Sequence, residues 1–144
     1  MSSYEYPDRP QLAVGAIVMR NNKVLLVKRG RPPGEGLWAV PGGRVRLGET
    51  LKEAVEREVR EETRLIVRAG NPVYAFDLIE RDEEDRIQYH YVVVDLLADY
   101  IKGQPSPDDD ALEARWVSLE ALRDLPASRT TREVLRKTAD FGPT

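Results

Sequence analysis

PGGRVRLGETLKEAVEREVREETRL, Pro41 to Leu65, is the stretch whose reading decides the fold. Thr50 followed three residues later by Glu53 is the S/T-x-x-E capping-box pattern, so a helix is expected to start at Thr50 and run to about Thr63. At about 100° per residue, counted from Leu51, Ala54 falls at about 300°, Val55 at about 40° and Val59 at about 80°, a stripe that packs inward. Lys52, Glu53, Glu56, Arg60 and Thr63 fall between about 100° and 200°, the solvent face. Glu58 at about 340° and Glu62 at about 20° lie inside the apolar stripe, and Glu61 at about 280° lies at its edge. These carboxylates point toward the protein.

An unpaired buried carboxylate is costly, and three within one turn repel each other. The helix C-terminus favours cations, which adds to the cost. Arg57, four residues before Glu61, supplies one partner along the helix. One guanidinium does not neutralise three carboxylates, so a divalent cation with hard oxygen ligands, Mg2+ or Mn2+, is the economical reading. On periodicity alone, an ordinary charged helix satisfied by Glu–Arg pairs stays open beside it.

The 144 residues, 41% hydrophobic and 33% charged, fit one globular domain, expected to span 1–144. A net charge of -3 argues against nucleic acid or an anionic membrane as partner. The chain has no cysteine and one histidine, His90, which excludes disulfides, thiolate catalysis and multi-histidine metal sites. The opening MSSYEYPDRP lacks an apolar signal core, and no run reaches the roughly 18 apolar residues of a membrane span, so a cytoplasmic location is expected.

Outward from the helix, QLAVGAIVMR (11–20) and KVLLVKR (23–29) around Asn21-Asn22 read as a β-hairpin. GRPPGEG (30–36) is a breaker cluster and therefore an exposed loop, and LWAV (37–40) is a short strand entering the Pro41-Gly42-Gly43 turn. LIVRAG and PVYAFDLIE (72–80) are strand material, RDEEDR (81–86) is a charged hairpin tip, and IQYHYVVVDLLADYI (87–101) is a long strand. GQPSPDDDALE (103–113) is an acidic loop before the strand ARWVSL, with short helices expected from Ser118 and over Thr131 to Ala139. Hairpins mixed with helices predict an α/β fold with a mixed β-sheet.

Gly43, five residues, Glu49, seven residues, then Arg57-Glu58-Val59-Arg60-Glu61-Glu62-Thr63-Arg64-Leu65 resembles the Nudix hydrolase signature G-x5-E-x7-R-E-U-x-E-E-x-G-U, U being aliphatic. Eight of its nine specified positions match over 23 residues, and the departure is Arg64 in place of the usual glycine. That departure predicts a changed helix end without loss of activity. The resemblance implies a Nudix-type α/β/α sandwich that hydrolyses the pyrophosphate of a nucleoside diphosphate derivative with Mg2+ or Mn2+. It implies Glu58 and Glu62 as metal ligands, Glu61 as a further ligand, Gly43 as a carbonyl ligand, and Arg57 as the residue that orients Glu61. Glu49 is placed near the same site.

Nudix enzymes take their general base from the box or from a later loop, so Glu61 is favoured, with Asp109, Asp110 and Glu113 as alternatives beside Asp108. Arg29 and Arg31 flank the 30–36 loop as candidates for phosphate, and Tyr89 for stacking on a base, among the aromatic residues Trp38, Tyr74, Phe76 and Tyr91. Chains with this layout are similar to ADP-ribose or nucleotide-sugar pyrophosphatases, and next to nucleoside triphosphate pyrophosphohydrolases. The proline that ADP-ribose members carry beyond the box is Arg81 here. A nucleotide-binding module without catalysis is the reading of another class; the complete set of box charges favours the enzyme. A homodimer is a further expectation from the family.

Overall fold

The computed structural model describes residues 4–139. Strands β1 (Gln11–Arg20) and β2 (Lys23–Arg29) form the expected hairpin, turned by Asn21 and Asn22 at φ 51 and 63. Two positive φ values make the two-residue turn whose twist suits a hairpin, and asparagine tolerates them. The hairpin stays paired only at Met19–Val24 and Arg20–Lys23. Beyond that the strands part: β2 pairs with β3 (Trp38–Ala39) and β7 (Ala111–Ser118), all antiparallel. β1 runs parallel to β6 (Ile87–Lys102), Gln11 to Val18 against Tyr91 to Ala98, and β6 pairs antiparallel with β5 (Ile66–Arg81). The parallel β1–β6 pairing among antiparallel strand pairs makes the sheet mixed.

The gap left on β1 where β2 departs is filled by β4 (Gly42–Arg44), with Gly42 opposite Gly15 and Gly43 opposite Val14. The expected Pro-Gly-Gly turn is therefore a short strand. The close approach requires glycine, because a Cβ on Gly42 would lie 2.1 Å from the Val14 carbonyl oxygen. The two segments read as separate strands after the helix are one 16-residue β5, bent by irregularities between Ala69 and Tyr74.

One face of the sheet packs Val14, Ala16, Val18, Leu96 and Ala98 against Ala54, Val55 and Val59 of helix α1 (Leu51–Thr63). The other face packs Ile17, Leu26, Trp38 and Val117 against Leu122 of α2 (Leu119–Asp124) and Val134 and Leu135 of α3 (Arg129–Ala139). Helices on both faces make the α/β/α sandwich.

The predicted start of α1 is met in full: Thr50 Oγ1 accepts from the Glu53 N–H, and Glu53 Oε1 accepts from the Thr50 N–H. Its end differs from expectation. Arg64 takes φ 65, ψ 7, the left-handed conformation that glycine takes at such caps, and its N–H reaches the Arg60 carbonyl. The acidic loop folds over this end, where Ser106 N–H donates to Thr63 O and Asp108 N–H to Glu62 O. These bonds satisfy carbonyls that a helix terminus otherwise leaves open. They also bury Thr63, placed on the solvent face by helical phase. Glu56 leaves that face too, accepting the Ala69 N–H at 2.9 Å.

A left-handed conformation costs a non-glycine residue about 1–2 kcal/mol, and the solvent-screened Arg64–Asp108 ion pair at 2.9 Å returns less than that. Arg64→Gly is therefore expected to raise the melting temperature slightly and leave turnover unchanged. A lower melting temperature would show that the Asp108 pairing outweighs the strain.

Candidate active site

The C-terminal half of α1, the Gly42–Arg44 strand and two loops border a cleft of about 1000 Å³, the size of a nucleotide-derived ligand. Glu58, Glu61, Glu62 and Gly43 line it, with Arg29 and Arg31 from the 30–36 loop and Asp109 and Asp110 from the acidic loop. The structure thus gathers the predicted box residues in one place. Arg44 and Arg46 add two further cations that the sequence reading did not single out.

Arg57 organises the acidic set. Its Nε and Nη2 hold both oxygens of Glu49 at 2.6 and 2.8 Å, its Nη1 donates to Glu58 at 2.6 Å and Glu61 at 2.9 Å, and Nη2 also reaches the Arg44 carbonyl at 3.0 Å. The fork geometry of a guanidinium makes this possible. The expected Arg57–Glu61 contact is present, and the bidentate grip on Glu49 is stronger. It holds the Glu49 carboxyl at a pKa of about 2, and the same bonds raise the Arg57 pKa.

Glu62 is the opposite case. It is 7% exposed, and its pKa is pushed up to about 8 by burial and then by the charge of Glu58. The Gly42 N–H, 3.0 Å from its Oε1, opposes the shift. Glu58 is also raised, first by burial, with Arg57 opposing. Its carboxylate lies over Gly43, where a Cβ would sit 2.5 Å from the carboxyl carbon. The fold thus disfavours charge on both Glu58 and Glu62 without an added cation, and the bare Cα of Gly43 gives the Glu58 carboxyl room.

Among the described residues, no three acidic or histidine side chains already converge as a finished metal cage. Glu58 and Glu61 are turned to Arg57, and Glu61 is also 3.5 Å from Arg46. In donor chemistry the set fits a hard dication: only oxygen ligands, with more charge than the guanidiniums balance.

The weaker candidates divide. Asp109, at a positive φ of 53, has its carboxyl raised by burial and then by Asp110 and Glu61. Asp110 pairs with Arg31 at 2.9 Å. Glu113 and Tyr89 are not brought to the cleft. Glu113 follows β7 to Lys28, 3.9 Å away, because that strand pairs with β2. Tyr89 is buried opposite Glu80, while Tyr91 and Phe76 line the cleft in its stead. Trp38 is core, as an aromatic on a strand often is.

Sequence reasoning missed Asp95. It is 1% exposed, lines the cleft, and among the described residues neither carboxylate oxygen has a hydrogen-bond partner. Burial alone pushes its pKa up to about 6. The signal was present in the chain: one acid within VVVDLLA, in phase with Tyr91 and Val93.

The NUDIX domain family model matches residues 9–138. The chain is 36% identical over 125 residues to an ADP-ribose pyrophosphatase of Methanocaldococcus jannaschii, covering 87% of this chain and 72% of that one. It is 31% identical over 134 residues to a nucleoside triphosphatase, NudI, of an Enterobacter species, covering 86% and 93%. Among solved structures, a MutT NUDIX hydrolase from Burkholderia pseudomallei superposes with a TM-score of 0.72 at 28% identity, over 91% of this chain and 99% of that one. With the signature's charges gathered on α1 and the turn just before it, beside a nucleotide-sized cleft, and the family match spanning all of it, this chain belongs to the NUDIX family and is a pyrophosphohydrolase.

Proposed function

We propose that this enzyme cleaves the pyrophosphate of a nucleoside diphosphate derivative, ADP-ribose before a nucleotide sugar, with Mg2+ or Mn2+. The observation that carries the reading is one cleft lined both by the carboxyls of Glu58 and Glu62, whose charge the fold leaves poorly compensated, and by four arginines, Arg29, Arg31, Arg44 and Arg46. The acids suit a dication, and the guanidiniums suit phosphate oxygens. The 36% identity to an ADP-ribose pyrophosphatase supports the choice of substrate.

Glu58, Glu62, Glu61 and the Gly43 carbonyl are the groups to hold the ion. When bound it neutralises phosphate oxygens and lowers the pKa of a coordinated water. Arg57 keeps Glu58 and Glu61 in position. Water adds to one phosphorus, the bond from that phosphorus to the bridging oxygen breaks, and two monophosphates leave. A carboxylate takes the water's proton. Glu61 has its lone pairs engaged by Arg57 and Arg46, whereas the raised carboxyl of Asp109 holds no hydrogen bond from a cation. The electrostatics therefore favour Asp109 as base over Glu61, the box residue that the sequence favours.

The nucleoside triphosphate reading is favoured by the match to the Enterobacter nucleoside triphosphatase over 93% of that protein. A panel of ADP-ribose, nucleotide sugars and nucleoside triphosphates, incubated with Mg2+ or Mn2+ and resolved by chromatography, separates the two. The expected result is AMP and ribose 5-phosphate from ADP-ribose, none after chelation, and a fall in kcat of about 10²-fold in Asp109→Asn. Faster cleavage of triphosphates moves the substrate assignment. No cleavage of any compound moves the chain to a binding module.

A further inference from the structure

Asp95 is a buried acid that no contact within the fold explains. Among the described residues neither oxygen has a partner, and no charged side chain contributes to its raised pKa. Buried polar groups in folded proteins are nearly always hydrogen-bonded, so a carboxylate left bare at a cleft wall calls for a partner that arrives with the ligand.

The fold makes room for this carboxylate. Gly15 stands beside Asp95 in the β1–β6 register, and a Cβ there would lie 2.1 Å from Asp95 Oδ1 and 3.2 Å from Val40. Gly15 in turn faces Gly42, whose N–H holds Glu62. Asp95, Gly15 and Gly42 therefore lie in one row across three strands and present the same face of the sheet. Two strand spacings of about 4.8 Å set Asp95 on the order of 10 Å from β4, the strand that borders the acids of α1 and whose Gly42 N–H holds Glu62. That offset takes a substrate from its phosphates into its nucleoside. Val40, Val93 and Val134 line the cleft as apolar surface for a ring.

An ionised carboxylate only accepts hydrogen bonds. Its ligand must bring donors, and two neighbouring oxygens match two neighbouring donors. We propose that Asp95 is the residue that sets specificity at the nucleoside end of the cleft, accepting hydrogen bonds from a donor pair on the substrate. The pair is either the vicinal hydroxyls of a ribose or the two N–H bonds of adenine's exocyclic amino group. This rests on the pyrophosphohydrolase reading of the site and adds the element of substrate that the box helix does not read. A site that hydrogen-bonds a substrate rejects analogues lacking the donors far more strongly than an apolar pocket rejects a change of size.

The test uses the full chain and the variants Asp95→Asn and Asp95→Ala. Asparagine keeps the shape but turns an amide donor toward the ligand's donors, and alanine removes the acceptor. Expected for both is a rise in KM of at least tenfold with kcat changed less than threefold, and a melting temperature equal to or above wild type, since an unpaired buried charge is gone. A purely structural acid gives the reverse pattern, a lower melting temperature with unchanged KM, and that result overturns the proposal.

Equilibrium binding of AMP, 2′-deoxy-AMP and ribose 5-phosphate, read by calorimetry without turnover, keeps the two readings apart. Loss of ribose 5-phosphate binding in Asp95→Asn assigns the donors to the sugar. Loss confined to AMP and 2′-deoxy-AMP assigns them to the base. Wild-type hydrolysis together with equal affinities in wild type and Asp95→Asn overturns the Asp95 assignment and leaves the function standing. Nucleotide binding that depends on Asp95 in a chain that cleaves nothing overturns the function and leaves Asp95 standing. No binding by the wild type overturns both.

Discussion

Glu62→Gln is expected to lower kcat by about 10³-fold or more and at the same time to stabilise the metal-free protein at alkaline pH. The two effects share one cause. Glu62 is buried beside Glu58 with its pKa raised from 4.5 to about 8. A folded-state pKa above the unfolded one means that the folded chain binds more protons between those values. Stability of the metal-free protein therefore falls as pH rises from about 4.5 to about 8 and levels off above that. At about 1.4 kcal/mol per unit, the burden carried by the ionised carboxylate is on the order of 5 kcal/mol. Glutamine removes the charge, and its amide oxygen still accepts the Gly42 N–H, 3.0 Å from Oε1 in the wild type. The variant in EDTA should thus melt above wild type at pH 8 and close to it at pH 5. Saturating Mg2+ should reverse the order, since an ion that binds only the folded chain stabilises it in proportion to its affinity. Loss of an ion ligand removes several kcal/mol of transition-state stabilisation, hence the fall in kcat. Turnover within tenfold of wild type would remove Glu62 from the ligand set.

What the sequence made legible was local. Thr50 and Glu53 lie one turn apart, and the capping box they predict needs no distant partner. Glu58 and Glu62 were placed inward by phase alone, and the fold buries Glu62 with Val55 and Val59. Where the reading departed from the structure, a distant segment intervened. Thr63 and Glu56 fall on the open side of the helix, yet the loop carrying Ser106 and Asp108 closes over the first and Ala69 bonds the second. The Pro-Gly-Gly turn is β4 because the hairpin splits and exposes β1, β3 taking the edge of β2 that β1 leaves. Arg64 keeps the left-handed cap without glycine because the same loop ties down the helix end. Asp95 went unread since a lone acid in an apolar strand has no local partner, and only the β1–β6 register sets it against Gly15.

Arg57→Ala carries the largest expected loss of stability. The guanidinium is 11% exposed, and its removal strands Glu49, 13% exposed, together with Glu58 and Glu61. Breaking such a partly buried set by deleting one partner costs about 3–5 kcal/mol, most of it from carboxylates left without their cation. Glu49 gives the loss a pH signature. Its folded pKa of about 2 lies below the unfolded 4.5, so it contributes stability above about pH 4.5 that is lost as pH falls toward 2. The gap between wild type and Arg57→Ala should therefore be widest near neutral pH and narrow in acid. Arg57→Lys should recover little of it, because a single ammonium cannot span both oxygens of Glu49 while donating to Glu58, Glu61 and the Arg44 carbonyl. A cycle with Glu49→Gln tests the pair directly: the double variant should be less destabilised than the sum of the singles by about 1–3 kcal/mol. Activity should fall by about 10- to 100-fold in folded Arg57→Lys, as for other residues that orient metal ligands. If Arg57→Lys melts and turns over like wild type, the bidentate grip on Glu49 does not hold the site together, and the orientation of Glu58 and Glu61 must come from Gly43 and the bound ion.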